Sequence, residues 1–228
     1  MLTVVCCLWR DPGYRYGLRY GPEHVNRLRR MVRRHLSMPH RFVALVDDPV
    51  GIDEDIETIP LWPDHRDMGG TWCRVRLFAS EMRRLLGERF VLLDLDVVVT
   101  GALDPLFDRP EEFVTGVSYN PAAAYNTGTY LLTAGSRAEV WDRFSPAAAR
   151  RAVTVDGMWE QGWASYILGA GEATWGVEDG VYEYGRHVAR GNGGALPANA
   201  RLVAFSGPHD PSLPACQALS PWIAEHWM

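Results

Sequence analysis

A chain of 228 residues can bury a sizeable core, and nothing in its composition demands a second domain, so one compact domain over 1–228 is expected. Its 28 acidic residues against 23 basic ones give a net charge of −5, which argues against nucleic acid as a partner, because that needs a basic stripe. Every basic residue is Arg; the chain contains no Lys. Cys6, Cys7, Cys73 and Cys216 show no Cys-x-x-Cys spacing and read as reduced thiols. The apolar start, 2–9, is too short for a membrane span and lacks the basic flank of a signal peptide, and no later apolar run reaches about 18 residues. The expectation is a soluble cytoplasmic protein with no transmembrane segment.

Residues 2–9 are rich in strand formers and are punctuated by Asp11-Pro12-Gly13, which predicts a buried first strand and then a loop carrying Tyr14, Tyr16 and Tyr20. Pro22 opens a helix whose Val25, Leu28, Val32 and Leu36 face the core, while Arg27, Arg29, Arg30, Arg33 and Arg34 read as a solvated face. Strands follow at 42–46, ended by Asp47-Asp48-Pro49, and at 56–61. Beyond a loop with Asp67, Gly69 and Gly70, the spacing of Trp72, Val75, Phe78, Ala79, Met82 and Leu86 predicts one helix over 72–86, stopped by Gly87.

Residues 91–100, Val-Leu-Leu-Asp-Leu-Asp-Val-Val-Val-Thr, read as a single central strand covered on both faces. An i, i+2 pair in an extended chain shares one face, so Asp94 and Asp96 stand side by side. Two like charges are costly in a dry interior unless a cation neutralises them or they share a proton. The alternation of strands and helices predicts an open α/β sheet, whose ligands bind beyond the carboxyl ends of the strands at the switch point.

In the second half, strands are expected at 113–117 and 125–133, and a helix capped by Ser136 and Glu139 through Phe144. A further helix is expected at 159–168 and a last strand at 201–205, leading into Ser206-Gly207-Pro208-His209-Asp210-Pro211. The tail 221–227 reads as a short helix that packs its Trp residues. Trp72 and Trp159 are candidates for a pocket wall; His35 and His40 read as ordinary surface or helix-end residues.

Two enzyme families place D-x-D at the end of a buried strand. Residues 93–99 loosely resemble the nucleophile motif of haloacid-dehalogenase-type phosphatases, but that resemblance implies a downstream Lys on the phosphoryl group, and the chain has none. The wider resemblance is to GT-A-type glycosyltransferases, in particular the glycogenin-like family eight. Tyr20 resembles that family's base-stacking Tyr, Trp72-Cys73-Arg74 its W-x-K/R segment, and Asp94-Leu95-Asp96 its D-x-D, followed by Gly101, Leu103 and Leu106. Tyr125-Asn126-Thr127-Gly128 resembles the F-N-x-G segment, and Glu160-Gln161 the D-Q pair.

The resemblance implies a single GT-A (Rossmann-like) domain, an open mixed sheet flanked by helices. Its nucleotide-binding half would be 1–100 and its acceptor and sugar half 101–228. It implies sugar transfer, with retention at the anomeric carbon, from a nucleotide-sugar donor such as a UDP-sugar. The acceptor would be a saccharide, lipid-linked sugar, protein or small molecule. A divalent cation, Mn²⁺ or Mg²⁺, would neutralise the departing diphosphate. Asp96 is its candidate ligand, Asp94 holds ribose or a metal-bound water, Tyr20 and Arg74 contact the donor, and Gln161 and Asn126 lie near the reacting carbon, where an oxocarbenium-like state needs a polar neighbour that is not cationic.

The last motif departs from the family's H-x-x-G-x-x-K-P. Aligned on Gly207, Ala204 stands for the His and Asp210 for the Lys. His209 is the candidate replacement metal ligand and Arg186 the candidate phosphate cation, Arg being suited to bidentate phosphate binding. Two outcomes stay open: an active transferase with a modified clamp, or a protein that binds a nucleotide sugar without turning it over.

Overall fold

The first strand, β1 (Leu2–Leu8), is buried at every position. Leu2, Val4, Cys6 and Leu8 pack into one core and Val5 and Cys7 into another, as a strand covered on both faces requires. The structure is a computed structural model describing residues 1–10, 19–64, 68–155 and 159–228. Asp11, Pro12, Gly13, Tyr14, Tyr16 and Asp67 lie outside them.

The helix α1 (Pro22–His35) starts with Pro at its first turn, where a missing N–H costs nothing. Val25, Leu28, Val32 and Leu36 are buried as expected. Its arginines do more than meet solvent. Arg34 donates to the carbonyls of Met228 (2.7 Å) and His226 (2.5 Å), Arg27 lies 3.9 Å over the Trp227 ring, and Arg30 pairs with Asp53 at 3.0 Å.

β2 (His40–Val46) and β3 (Glu57–Pro60) continue on one side of β1, and β4 (Arg89–Leu93) lies on the other. β1 pairs in parallel with both β2 and β4, so the strand order reverses beside β1. β6 (Phe113–Val117), β7 (Tyr125–Thr133) and β8 (Ala173–Trp175) complete a seven-stranded mixed sheet of order β3-β2-β1-β4-β7-β6-β8. A second sheet has order β5-β10-β9, from β5 (Val97–Val99), β9 (Val181–Glu183) and β10 (Leu202–Ala204). It shares a core with α1 and the tail helices α7 (Pro214–Leu219) and α8 (Trp222–His226), in which Trp222 and Trp227 are buried.

The opposite face of the large sheet is covered by α6 (Trp159–Leu168) and by the segment predicted as one helix over 72–86. That segment is instead a 3-10 helix, Trp72–Phe78, an extended residue at Ala79, and a short helix α2 (Met82–Leu86). Trp72, Val75 and Phe78 recur every three residues, which is the 3-10 period. The expected Ser136 cap is also replaced. A short helix α4 (Glu139–Asp142) follows α3 (Asp104–Phe107) in the chain and has no side-chain cap, while Ser145 accepts from Ala148 N–H (3.2 Å) and starts α5 (Pro146–Ala152).

The largest correction concerns 91–100, which is two strands in different sheets. Asp94 N–H donates to Gly128 O (2.8 Å), still in the large sheet, whereas Asp96 O accepts from Phe205 N–H (3.0 Å), already in the small one. The chain changes sheets at Leu95, whose side chain is buried beneath the joint. All four cysteines are unpaired and buried. Among the described residues no helix is long and apolar enough to cross a membrane.

Candidate functional site

A cavity of about 260 Å³ opens beyond the carboxyl ends of β1 and β4, where the strand order reverses. Its size sits just under the roughly 300–1,000 Å³ of ligand pockets, as befits a small-molecule site. Leu8 and Trp9 from the end of β1, Asp94 and Asp96 from the sheet joint, Asn126 and Gly128 from β7, and Gln161 from α6 all line it.

The centre of the site is a buried ion network. Arg74, 6 % exposed, comes from the 3-10 segment. Its guanidinium donates to Asp94 Oδ1 (2.6 Å) and Thr127 O (2.7 Å) and lies 3.2 Å from Glu160 Oε1. Thr71 and Thr127 hydroxyls also donate to Glu160. Burial opposes the charge on Arg74, but Asp94 and Glu160 outweigh it and hold the guanidinium protonated. Close packing at Gly128 fixes the Asp94 carboxylate: a Cβ there would sit 2.5 Å from Asp94 Oδ2 and 3.0 Å from Asn126 Oδ1. Asn126 Oδ1 in turn accepts from Gly128 N–H at 2.9 Å.

Asp96 is 8 % exposed, and its Oδ2 accepts from the Tyr20 hydroxyl at 2.7 Å. Burial pushes the Asp96 carboxyl up to about 8, helped by the charge of Asp94 and opposed by the Tyr20 hydrogen bond. The Asp94 carboxyl rises to about 6, because burial and Glu160 outweigh Arg74. Its side chain keeps 33 % of its surface accessible, within the recess of the cavity. Burial and the neighbouring Asp96 keep the Tyr20 phenol protonated, as its donor role needs.

Among the described residues, no three His, Cys, Asp or Glu side chains converge as a cation cage. The cavity offers two carboxylates, Asp94 and Asp96, with hard oxygen donors whose ionisation is disfavoured until positive charge arrives. Mg²⁺ is commonly held by one or two carboxylates together with water and phosphate, so these residues fit such an ion. Ala204 lines the same cavity and contributes no side-chain donor.

Tyr20, Arg74, Asp94, Asp96, Asn126, Gln161 and Gly207 are therefore brought together. His209 is turned elsewhere, edge-on to Tyr184 with ring centroids 5.3 Å apart and Nδ1 4.0 Å from Cys216 Sγ. Arg186 is exposed, its guanidinium 4.9 Å over the ring of Tyr119, a residue of the cavity wall. Neither His209 nor Arg186 is among the described residues that line the cavity. Trp72 and Trp159 stack on each other (6.4 Å), and Trp159 lies where any side chain at Gly70 would have to be. Two site residues are absent from the sequence reading. Glu160, there only the partner of Gln161, anchors Arg74, and Arg19, unmarked by any motif, lines the cavity and donates to Gly207 O at 3.1 Å.

No protein-family model matches this chain, and no curated protein matches it in sequence. Solved structures do. The galactosyltransferase LgtC, in complex with donor and acceptor sugar analogs, superposes with a TM-score of 0.65 at 15% identity, over 98% of this chain and 94% of that one. An active-site mutant of LgtC gives 0.61 at 14% identity, over 98% and 95% of the two chains. The glycosyltransferase GlyE of Streptococcus pneumoniae TIGR4 gives 0.63 at 14% identity, over 94% of this chain and 57% of that one. At these identities the likeness establishes the fold: a mixed α/β architecture of GT-A type.

Proposed function

We propose that this protein is a glycosyltransferase that moves a sugar from a nucleotide-sugar donor, a UDP-sugar by our reading, to an acceptor hydroxyl. The observation that carries the proposal is the paired Asp94 and Asp96 at the sheet joint of a GT-A fold, opening on one cavity with Tyr20, Asn126 and Gln161. Residues 1–100 would serve as the nucleotide half and 101–228 as the sugar half. The two carboxylates would hold a divalent cation, Mn²⁺ or Mg²⁺, which when bound supplies charge neutralisation for a leaving diphosphate.

In this reading the side chains divide the work. Tyr20 aligns Asp96 through its hydroxyl and offers its ring to the base. Arg74 pairs with Asp94 and Glu160 and fixes both carboxylates in place. Asn126 and Gln161 present neutral amides to the sugar, favourable for an oxocarbenium-like anomeric carbon that a cation would repel. Retention of configuration belongs to the same proposal. A phosphatase reading, in which Asp94 attacks phosphorus, is disfavoured by the ion pair that immobilises its Oδ1 at 2.6 Å from Arg74. Four unpaired buried thiols accord with a reducing compartment, and we place the protein in the cytoplasm.

Calorimetric titration with UDP, GDP and ADP, with and without Mn²⁺, tests the proposal. Metal-dependent binding of a nucleoside diphosphate is expected, followed by slow metal-dependent hydrolysis of the matching nucleotide sugar. Absence of binding to all three would sink it. Binding without hydrolysis or transfer would leave a nucleotide-sugar-binding protein, the reading favoured by the missing side-chain donor at Ala204.

A further inference from the structure

We propose that the acceptor carries an aliphatic chain, and that this chain lies in a groove beside the cavity, between α6 and the segments 121–124 and 152–155. The inference rests on the nucleotide-sugar reading and names the acceptor class of that same site. The groove has a volume of about 410 Å³, within the roughly 300–1,000 Å³ of ligand pockets. Among the described residues that line it none is charged, and Pro121, Ala122, Ala124, Val153 and Val155 supply much of its wall. Val155 is 45 % exposed and Tyr166 62 %.

The groove adjoins the cavity along two elements. Gln161 lines the cavity and Ser165 the groove, and the two stand one turn apart on the same side of α6, about 6 Å along its axis. On the neighbouring segment Asn126 lines the cavity and Ala124 the groove, two residues of chain that span at most about 7 Å. Ser165 Oγ accepts from Tyr125 N–H (3.2 Å), which ties the two elements together at the junction. In the proposed reaction Gln161 and Asn126 present their amides at the reacting carbon. An acceptor whose hydroxyl reaches that carbon can therefore pass its remainder across this junction and into the groove.

The lining selects a hydrocarbon over a polypeptide. An extended peptide brings one N–H and one C=O per residue, and each needs a partner once buried. Among the described residues the polar side chains of the groove are Thr154, Ser165 and Tyr166, and the Ser165 hydroxyl already takes the Tyr125 N–H. An aliphatic chain asks for no partner and gains from leaving water. The Tyr166 ring stacks on Trp163, with centroids 5.7 Å apart, so this exposed ring is held in place by a buried indole.

Titration calorimetry with methyl, butyl and octyl β-glucosides and β-galactosides, below the micelle concentration and with UDP and Mn²⁺ present, tests the assignment. Octyl glycosides should bind at least about tenfold tighter than methyl glycosides, since each buried methylene is worth up to about fourfold. Val155→Asp and Ala122→Trp, both at exposed positions that the fold should tolerate, should each cut that ratio below about threefold. Val50→Asp, at a 75 % exposed site away from the groove, should keep it. Equal affinity for methyl and octyl glycosides overturns the proposal. So does an octyl preference that survives both groove variants, which would put the chain elsewhere. A flat alkyl series beside tight binding of an apolar serine peptide would overturn it in favour of a polypeptide acceptor. Wild-type protein that binds no nucleoside diphosphate would fail the functional reading, a result read from the donor alone, and this acceptor assignment with it.

Discussion

Replacing Arg74 by Met keeps most of the side-chain bulk and deletes the cation on which the site is assembled. Arg74→Met leaves Asp94 and Glu160 facing each other without the guanidinium that now lies 2.6 Å and 3.2 Å from them. Breaking a buried ion pair from one side costs roughly 3–5 kcal/mol. Asp94 keeps 33 % of its side-chain surface accessible, so solvent screening places the cost at the lower end, about 3 kcal/mol. At roughly 2–4 °C per kcal/mol for a chain of this size, melting should fall by about 6–12 °C near pH 8. The pH dependence supplies an independent check. The Asp94 carboxyl already titrates at about 6 in the native protein, against roughly 3.9 unfolded, and losing Arg74 lifts it further. Stability tied to the protonated acid is fully present below the unfolded value and is lost as pH rises through the folded one. The deficit of the variant should therefore be smaller near pH 5 than near pH 8. Scanning calorimetry on both proteins measures this. A variant within about 3 °C of wild type near pH 8, or with equal deficits at both pH values, would refute the reasoning.

Asp96 gives a related expectation for the protein free of divalent ions. Its carboxyl titrates at about 8 when folded, so the native state holds an extra proton between roughly pH 4 and pH 8, and stability should decline across that window. Asp96→Asn should flatten that decline in urea unfolding measured across the range; an unaltered slope would mean Asp96 is not its source. Gly128→Ala puts a methyl group 2.5 Å from the present position of Asp94 Oδ2. Metal-dependent nucleotide binding should drop at least about tenfold while melting shifts by only a few degrees, and unimpaired binding would show that Asp94 can move at no cost. Gln161→Ala should slow sugar transfer by about a hundredfold with nucleotide affinity preserved; loss of nucleotide affinity instead would move Gln161 to the donor's phosphate end.

Elements with a single dominant signal were readable from the sequence. β1, β2, β6, β7 and α6 lie where alternation or helical spacing puts them, and Pro22 marks the start of α1. The failures share a physical cause. Three-residue spacing at Trp72, Val75 and Phe78 runs on into the later Met82 and Leu86 without a visible break, because both periods bury one face of a short segment. The run around Asp94 and Asp96 is apolar on either side whether it pairs with one sheet or two, since partner choice is set by residues 128 and 205 and leaves no local mark. Within the site, spaced motifs brought together Asp94, Asp96, Asn126, Gln161, Arg74 and Tyr20. Arg19 had no motif to mark it. His209 is near in sequence to the missing donor and Arg186 has the charge a phosphate asks for, but side-chain placement, which sequence does not carry, packs His209 edge-on to Tyr184 and Arg186 over Tyr119, and neither lines the cavity. Ser145-Pro146, a cap followed by a Pro at the first turn, is a legible start signal for α5, whereas α4 has no side-chain cap.

The sheet change at Leu95 also bears on the order in which the molecule can be completed. The strands of the large sheet all lie within the first 175 residues, ending with Trp175. β5 follows β4 after three residues yet pairs with β10, Val97 opposite Ala204 and Val99 opposite Leu202. During synthesis, β5 must wait for its partner while the sheet beside it is already able to form, and contacts so distant in sequence are slow to close. The backbone of Asp94 can thus be set early by Gly128, whereas that of Asp96 is set only when Phe205 arrives. Until then the chain can have most of its secondary structure and no functional acid pair, so spectroscopic folding and the gain of ligand binding should run on separate clocks.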